Sequence, residues 1–275
     1  MHTPLHCQVG PYRIAYERQG SGAPVVLLHG ITTYRFLWWP LIPTLSQYYD
    51  VIALDLLGCG DSDKPLEVSY ALREHATRLK EFLDSLGVSR CHLVGHDLGG
   101  GIAQIFAVRH PEMLHSLSLL NTVGYDFWPV QPITAMRTPI IRQLAMASLD
   151  IGMLRLIVHR GMHHKDRLTE DLMERFQYPL RTSEGRRAFL HFARCLDNRD
   201  LTGVLPQLRR LPTPALILRG EKDIYLSAAI AEKLHTDLPN SRLIRVPDAG
   251  HFIQFDAPET CVTHLLGFFK EVTHD

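Results

Sequence analysis

The sequence contains no long apolar run and few cysteines. No stretch approaches the roughly 20 consecutive apolar residues that a membrane-spanning helix needs. The N-terminal residues, MHTPLH, lack the basic and apolar regions of a signal peptide. The five cysteines are odd in number and scattered, which is typical of reduced thiols rather than of a disulfide framework. We therefore expect a cytoplasmic protein without membrane association.

A surplus of charge of either sign is also missing. Lysine plus arginine and aspartate plus glutamate number 29 each, so overall charge does not favour nucleic acid or an anionic membrane as a partner. The 275 residues are 45% hydrophobic and 21% charged. This composition is typical of a globular protein with a substantial core.

One stretch near the middle of the chain combines a strand pattern, a glycine-rich turn and a helix pattern. The apolar pair Leu93-Val94 is followed by Gly95-His96-Asp97-Leu98-Gly99, and a helical pattern begins near Ile102. The turn fits the nucleophile-elbow pattern G-x-S-x-G, with Asp97 where serine is usual. The alternative is an ordinary tight turn between a strand and a helix, with a polar tip.

Apolar strand patterns alternate with helical patterns on both sides of this turn. Strands that are apolar on both faces are typical of a parallel sheet covered by helices. We predict an α/β fold with a doubly wound, mostly parallel sheet and a hairpin at one edge, residues 8–20. Besides the strand that enters the turn, the predicted strands are 24–30, 51–55, 114–120, 214–220 and 242–246, and the predicted helices are 34–46, 70–86, 228–238 and 258–270.

The alternation stops near Asn121 and resumes at Pro214. Between these points only helical patterns occur, at 140–149, 168–176 and 184–196. Insertions of this length usually cover a functional site. The predicted organisation is therefore a core domain formed by residues 1–124 and 209–275, with a helical cap, residues 125–208, inserted into it.

Polar residues follow several of the predicted strands. In open α/β sheets, ligands bind beyond the carboxyl ends of the strands. Asp97, Asp223 and His251 occupy such positions, in the order nucleophile, acid and histidine that the hydrolase fold uses. We expect these three side chains to converge.

Together these motifs resemble the α/β-hydrolases that use an aspartate nucleophile, namely haloalkane dehalogenases, haloacetate dehalogenases and epoxide hydrolases. The resemblance covers nearly the whole chain. It is carried by His29-Gly30 with Trp38 nine residues after His29, the loop DLLGCGDSDKP at 55–65, Gly95 to Gly100, Gly220-Glu221-Lys222-Asp223 and Gly250-His251-Phe252.

The resemblance implies a small-molecule substrate, no cofactor and no metal, in a monomer or a homodimer. An ionised Asp97 would attack a saturated, electrophilic carbon and form an alkyl ester. His251, oriented by Asp223, would then deprotonate the water that hydrolyses this ester. Backbone N–H groups of Ile31 and Leu98 are expected to form the oxyanion hole.

The leaving group distinguishes the families. Haloalkane dehalogenases hold halide with a tryptophan after the nucleophile, and haloacetate dehalogenases place an arginine there, whereas this chain has Leu98. Epoxide hydrolases use tyrosines of the cap to protonate the alkoxide. The candidates for contacting substrate or leaving group are Tyr125, Trp128, Tyr178 and Trp38.

These residues favour epoxide hydrolysis over dehalogenation, because cap phenols are present and the side chains of a halide clamp are missing. Two alternatives from other classes stay open. One is a ligand receptor on the hydrolase fold, and the other is a cofactor-free lyase or oxygenase that uses His251 as a base.

Overall fold

The computed structural model describes residues 3–128 and 152–274, and in these ranges eight β-strands form a single sheet. The strands are β1 (Leu5–Val9), β2 (Tyr12–Gln19), β3 (Pro24–Leu28), β4 (Asp50–Leu54), β5 (Cys91–Asp97), β6 (Leu114–Thr122), β7 (Ala215–Gly220) and β8 (Ser241–Val246). Their spatial order is β1-β2-β4-β3-β5-β6-β7-β8. β1 pairs with β2 and β2 with β4 in antiparallel fashion, and all other neighbours are parallel. The predicted α/β class with a mostly parallel sheet is confirmed.

Helices connect and cover the strands. They are α1 (Ile42–Leu45), α2 (Leu72–Ser85), α3 (Leu98–Arg109), α4 (Met153–Gly161), α5 (Glu170–Gln177), α6 (Ser183–Cys195), α7 (Arg199–Thr202), α8 (Leu205–Leu208), α9 (Ala228–Asp237), α10 (Ile253–Asp256) and α11 (Pro258–His274). Short 3-10 helices occur at Arg35–Trp38, Pro111–Met113, Lys165–Arg167 and Tyr178–Leu180.

The core lies on both faces of the sheet. Along β3, Val25 and Leu27 pack into one apolar cluster, whereas Val26 and Leu28 pack into the other. Successive side chains of a strand point to opposite faces, so a strand covered on both sides must be apolar throughout. This is why the central strands could be recognised from uninterrupted apolar runs.

Two predictions near the N-terminus are corrected by the structure. The predicted hairpin at 8–20 begins earlier, because β1 already pairs with β2 from Leu5 onward. The predicted helix over 34–46 is instead a 3-10 helix, Arg35–Trp38, followed by the short α1. Pro40 lies between them, and a proline has no N–H with which to continue a helix.

Between β6 and β7, the described residues 152–208 form helices and turns but no strand. We call residues 125–208 the inserted segment. The predicted helices at 168–176 and 184–196 correspond to α5 and α6, and the one predicted at 140–149 lies outside the described residues. The division of the chain into a core and a cap stays a prediction. Across 3–128 and 152–274, no helix combines the length and apolar character needed to span a bilayer.

Candidate active site

At Asp97 the chain passes from strand to helix without an intervening loop. β5 ends at Asp97 and α3 begins at the next residue, Leu98, which forces Asp97 to a left-handed φ of 52°. The glycines around it allow the close packing that such a turn requires. A Cβ at Gly99 would lie 2.3 Å from the carbonyl oxygen of Leu28 in β3. A non-glycine residue in this region is uncommon and strained, a feature that often marks a functional site.

The Asp97 carboxylate is buried and faces two backbone donors. The N–H of Ile31 donates to Asp97 Oδ2 at 3.2 Å, and the N–H of Leu98 also donates to this carboxylate. Burial raises the pKa of Asp97, whereas the charge of His251 and the two N–H groups act in the opposite direction. The N–H pair predicted as an oxyanion hole therefore contacts the aspartate itself.

Asp223 and His251 meet beside this turn. His251 Nδ1 lies 3.1 Å from Asp223 Oδ2. The other carboxylate oxygen, Oδ1, accepts the N–H groups of Tyr225 at 2.8 Å and Leu226 at 3.2 Å. Arg219 Nη1 also donates to Asp223 Oδ2, at 3.1 Å. Although burial acts to raise the pKa of Asp223, His251, Arg219 and the backbone donor of Tyr225 together hold it below its usual value.

His251 is buried, and the charges of two carboxylates, those of Asp223 and Asp97, act on its imidazole. Burial disfavours the imidazolium, but the charges of Asp223 and Asp97 outweigh this effect and raise the pKa of His251. Arg219 acts in the opposite direction. The structure thus brings Asp97, Asp223 and His251 together, and the protonation of the imidazole depends on the charge of Asp97.

Two side chains that sequence reasoning did not assign hold the residues around His251. Asn121 Nδ2 donates to the carbonyl oxygens of Gly250 at 2.7 Å and His251 at 2.9 Å, and its Oδ1 accepts the N–H of Gly220 at 2.8 Å. Asn121 also has a left-handed φ of 37°. Its position at the end of a predicted strand was the available signal. The second, Asp256, lies on α10 and carried no signal in the sequence.

An apolar cavity lies between the core and the inserted segment. Its empty volume is about 330 Å³, part of it open to solvent. The core contributes Ile31, Thr33 and Cys59 to its lining, and the inserted segment contributes Phe176, Leu180 and Phe189. The cavity therefore adjoins the loop whose N–H contacts Asp97, and most of its lining is apolar.

Comparison with known families supports the fold and the class of protein. The family model of the alpha/beta hydrolase fold matches residues 23–258. The chain belongs to this family. It is 30% identical to haloalkane dehalogenase 2 of Mycobacterium tuberculosis, with 94% of this chain and 91% of that protein covered. It is 29% identical to epoxide hydrolase 4 of Mus musculus, with 98% and 80% covered.

A solved structure shows the same similarity. The haloalkane dehalogenase DbeA from Bradyrhizobium elkani aligns with a TM-score of 0.88 and 26% identity, covering 99% of both chains. The protein is therefore an α/β-hydrolase related to haloalkane dehalogenases and epoxide hydrolases.

The tyrosines proposed as donors in this α/β-hydrolase are bonded elsewhere. The hydroxyl of Tyr125 donates to Asp237 at the end of α9, at 3.0 Å. The hydroxyl of Tyr178 donates to Asp61 at 2.6 Å. A carboxylate partner holds the proton on each phenol: burial and the bond to Asp237 raise the pKa of Tyr125, and the bond to Asp61 raises that of Tyr178 to about 12. Either role as a proton donor requires breaking the bond that the structure contains.

Trp38 and Trp128, the two tryptophans predicted as candidates, are both buried in this structure. Trp38 is fully buried in the apolar cluster beneath the site, and its Nε1 has no hydrogen-bond partner within the described residues. The Nε1 of Trp128 donates to the backbone carbonyl of Tyr125 at 3.1 Å. The sequence suggested both as leaving-group contacts because it shows indole donors but not what they face.

Proposed function

We propose that this hydrolase cleaves a carbon–halogen bond of a small apolar substrate through a covalent alkyl ester on Asp97. The observation that carries the proposal is the 3.2 Å hydrogen bond from the N–H of Ile31 to Asp97 Oδ2. An oxyanion hole that holds the aspartate itself is suited to an intermediate in which the aspartate carries the oxyanion.

In the first step, a carboxylate oxygen of Asp97 attacks the carbon and the halide departs with the bonding electron pair. Attack on an ester or amide carbonyl would instead give a high-energy anhydride, so a saturated carbon is the better electrophile. The product is an alkyl ester, which is a reasonable covalent intermediate.

In the second step, His251 deprotonates a water that attacks the carbonyl carbon of the Asp97 ester. The tetrahedral intermediate then collapses, the bond from the carbonyl carbon to the alkoxy oxygen breaks, and the alcohol leaves with the proton that His251 had taken. The proton that remains on Asp97 is lost to solvent. The N–H groups of Ile31 and Leu98 stabilise the oxyanion that forms on Asp97, and Asp223 stabilises the imidazolium. Esterification removes one of the two carboxylate charges that raise the pKa of His251. The pKa of His251 therefore falls at the stage when water must be activated, which favours the neutral imidazole that the step needs.

The geometry favours a halide over an alkoxide as the leaving group. A departing bromide is weakly basic and needs no proton, whereas the alkoxide of an epoxide does. The phenols of Tyr125 and Tyr178 donate to Asp237 and Asp61. Because Ile31 and Leu98 offer no side-chain donor, bromide and iodide should leave much faster than chloride.

Epoxide hydrolysis is the second candidate, through Tyr178. This residue directly precedes Pro179 and Leu180, which line the cavity. Rotation of its hydroxyl away from Asp61 would supply a donor at the cavity wall. Tyr178→Phe would then abolish epoxide opening and leave bromide release unchanged.

The test uses 1-bromohexane and 1,2-epoxyhexane with the parent protein and with His251→Gln. A carboxylate needs no base but water does, so the variant should accumulate the alkyl-enzyme, visible by intact mass. Single turnover of the parent in ¹⁸O-water should leave label in the peptide that contains Asp97. Label only in the product, together with no adduct in the variant, would disprove the aspartate-nucleophile mechanism.

A further inference from the structure

The residues around His251 are bonded to the inserted segment as well as to the core. We call residues 247–252, between β8 and α10, the histidine loop. The N–H of His251 donates to the carbonyl oxygen of Gly161, the last residue of α4, at 2.7 Å. A Cβ at Gly250 would lie 2.3 Å from the same oxygen. The two backbones therefore meet without a side chain between them.

One carboxylate joins these two segments. Asp256 is only 2% exposed. Its Oδ2 accepts the N–H of Gly250 at 2.8 Å and the N–H of His163 at 2.8 Å, and its Oδ1 accepts the N–H of His164 at 2.8 Å. Gly250 belongs to the histidine loop, whereas His163 and His164 follow α4.

Asparagine has the same shape as aspartate but cannot replace Asp256, because it cannot accept all of these hydrogen bonds. All three partners of the carboxylate are N–H donors, and two of them share one oxygen. An asparagine would turn its NH₂ toward at least one of them, in either orientation of the amide. The displaced N–H would be left buried and unpaired, which moves or loosens the backbone that it belongs to.

We propose that Asp256 is a positioning residue for the histidine base, and that it couples the position of His251 to the inserted segment. The proposal rests on the role of His251 in the proposed function. Asp256 acts only on the step that needs the imidazole, which is hydrolysis of the alkyl ester. Alkylation of Asp97 by substrate does not require it.

The experiment separates the two half-reactions in Asp256→Asn. The parent and the variant are mixed with 1-bromohexane, bromide release is followed in the first turnover, and decay of the adduct is followed by intact mass. Alkylation should stay within about twofold of the parent. Adduct hydrolysis should slow by about 10²-fold, the effect expected of a base displaced by roughly 1 Å.

Two variants serve as references. Asp200→Asn is the matched control, because Asp200 is also buried and accepts a backbone N–H, that of Arg73 at 3.3 Å, away from the histidine loop. It should leave both rates unchanged. His251→Gln tests the proposed function itself: if it forms no adduct, the mechanism fails, whereas an adduct there with normal turnover in Asp256→Asn rejects only the role of Asp256.

A second substitution, Gly161→Ala, changes the inserted segment where it meets the histidine loop. It tests the proposal if Asp256→Asn does not fold. In Gly161→Ala, the new Cβ would lie 2.7 Å from the ring of Phe252 and 3.0 Å from that of Tyr225, so these rings must shift beside His251. Slower adduct hydrolysis with normal alkylation is expected again. Equal slowing of both steps, or of neither, in the folded variants would overturn the proposal.

Discussion

At the residue scale, the backbone conformation and the burial of Asp97 lower the stability of the fold, and both belong to its proposed role in activity. The residue combines a left-handed φ of 52° with a buried carboxylate whose pKa is raised by burial. A carboxyl that is harder to ionise in the folded state destabilises the protein at neutral pH, where it must be charged. The arrangement is retained in the structure at a cost, which is typical of a functional residue.

Asp97→Asn should therefore remove activity and raise stability. Loss of the proposed nucleophile should lower kcat by about 10⁶-fold, the scale found when a catalytic nucleophile is removed from a protease. The free energy of unfolding at pH 7 should rise by about 0.5–2 kcal/mol. Urea denaturation and bromide release from 1-bromohexane measure the two effects. Destabilisation with full activity would contradict both expectations.

Substitution of Arg219 tests how the surrounding charges set the pKa of His251. The rings of His96, Tyr225 and Phe252 pack against the imidazole. The charges that act on it are those of Asp223, Asp97 and, through Asp223, the guanidinium of Arg219. Burial and Arg219 lower the pKa of His251, and the two carboxylates raise it. Arg219→Gln removes one of the two effects that lower the pKa of His251, so this pKa should rise.

As the pH is lowered, the rate of adduct hydrolysis should then begin to fall at a higher pH in the variant than in the parent. The plateau at high pH should change less than the position of this acid limb, because the imidazole is neutral there in both proteins. Arg18→Gln, which removes a guanidinium paired with Asp50 at the far side of the sheet, is the control. An acid limb that moves to lower pH would reverse the sign assigned to Arg219.

At the scale of secondary-structure elements, the elbow depends on the contact between α3 and β3. A Cβ on Gly99 would meet the backbone oxygens of Leu28 at 2.3 Å and His29 at 2.6 Å. Backbone atoms of a central strand cannot shift as the end of a flexible side chain can. Gly99→Ala should cost at least about 1–3 kcal/mol of unfolding free energy, as overpacking of a core does.

The matched control is Gly267→Ala in α11. A Cβ there meets no atom within 4 Å, and alanine favours a helix over glycine by about 0.5–1 kcal/mol. The same chemical change should therefore stabilise one helix and disrupt the other. Chemical denaturation of both variants measures the difference, and equal effects of the two substitutions would refute the packing argument.

The elements themselves were largely predictable, and their side-chain partners were not. β3 and β7 appear in the sequence as continuous apolar runs because both faces are buried. The bonds from Tyr125 to Asp237 and from Tyr178 to Asp61 join residues 112 and 117 positions apart. No local pattern encodes such pairs, so the sequence could supply the hydroxyls as candidates but not their actual partners.

The same limit applies to the candidate site. Asp97, Asp223 and His251 could be placed together because parallel strands end at one edge of a sheet. The hydrogen bonds of Asp256 join α10 to His163 and His164, which follow α4 and lie about 90 positions earlier in the chain. It depends on how the inserted segment meets the core, which periodicity does not determine.

At the scale of the whole molecule, buried neutral histidines link stability to pH. Burial, the largest effect in each case, lowers the pKa of four of them in the folded state: to about 4 for His29, to about 3 for His92 and His96, and well below the ordinary value for His75. At His29, the tautomer is fixed because Nε2 accepts the N–H of Leu56 at 3.0 Å. These rings therefore stay neutral in the folded protein at pH values at which the unfolded chain protonates them.

The whole protein should consequently lose stability as the pH falls from about 6.5 to 4. In this window the unfolded chain binds protons at these four histidines and the folded chain does not, so ΔG of unfolding decreases as pH decreases. Two buried carboxyls act in the opposite direction, because burial raises the pKa of Asp55 to about 6 and also raises that of Asp97. The four histidines outnumber the two carboxyls, so the net effect is a loss of stability as the pH falls through this window.

The free energy of unfolding should therefore decrease steadily between pH 7 and pH 5. Urea denaturation at pH 7, 6 and 5 measures the slope. His75→Leu removes one of the four imidazoles from a site packed against Tyr70 and Phe192, and should make the slope shallower. Stability that rises on acidification, or a slope unchanged in His75→Leu, would show that these histidines do not control the response.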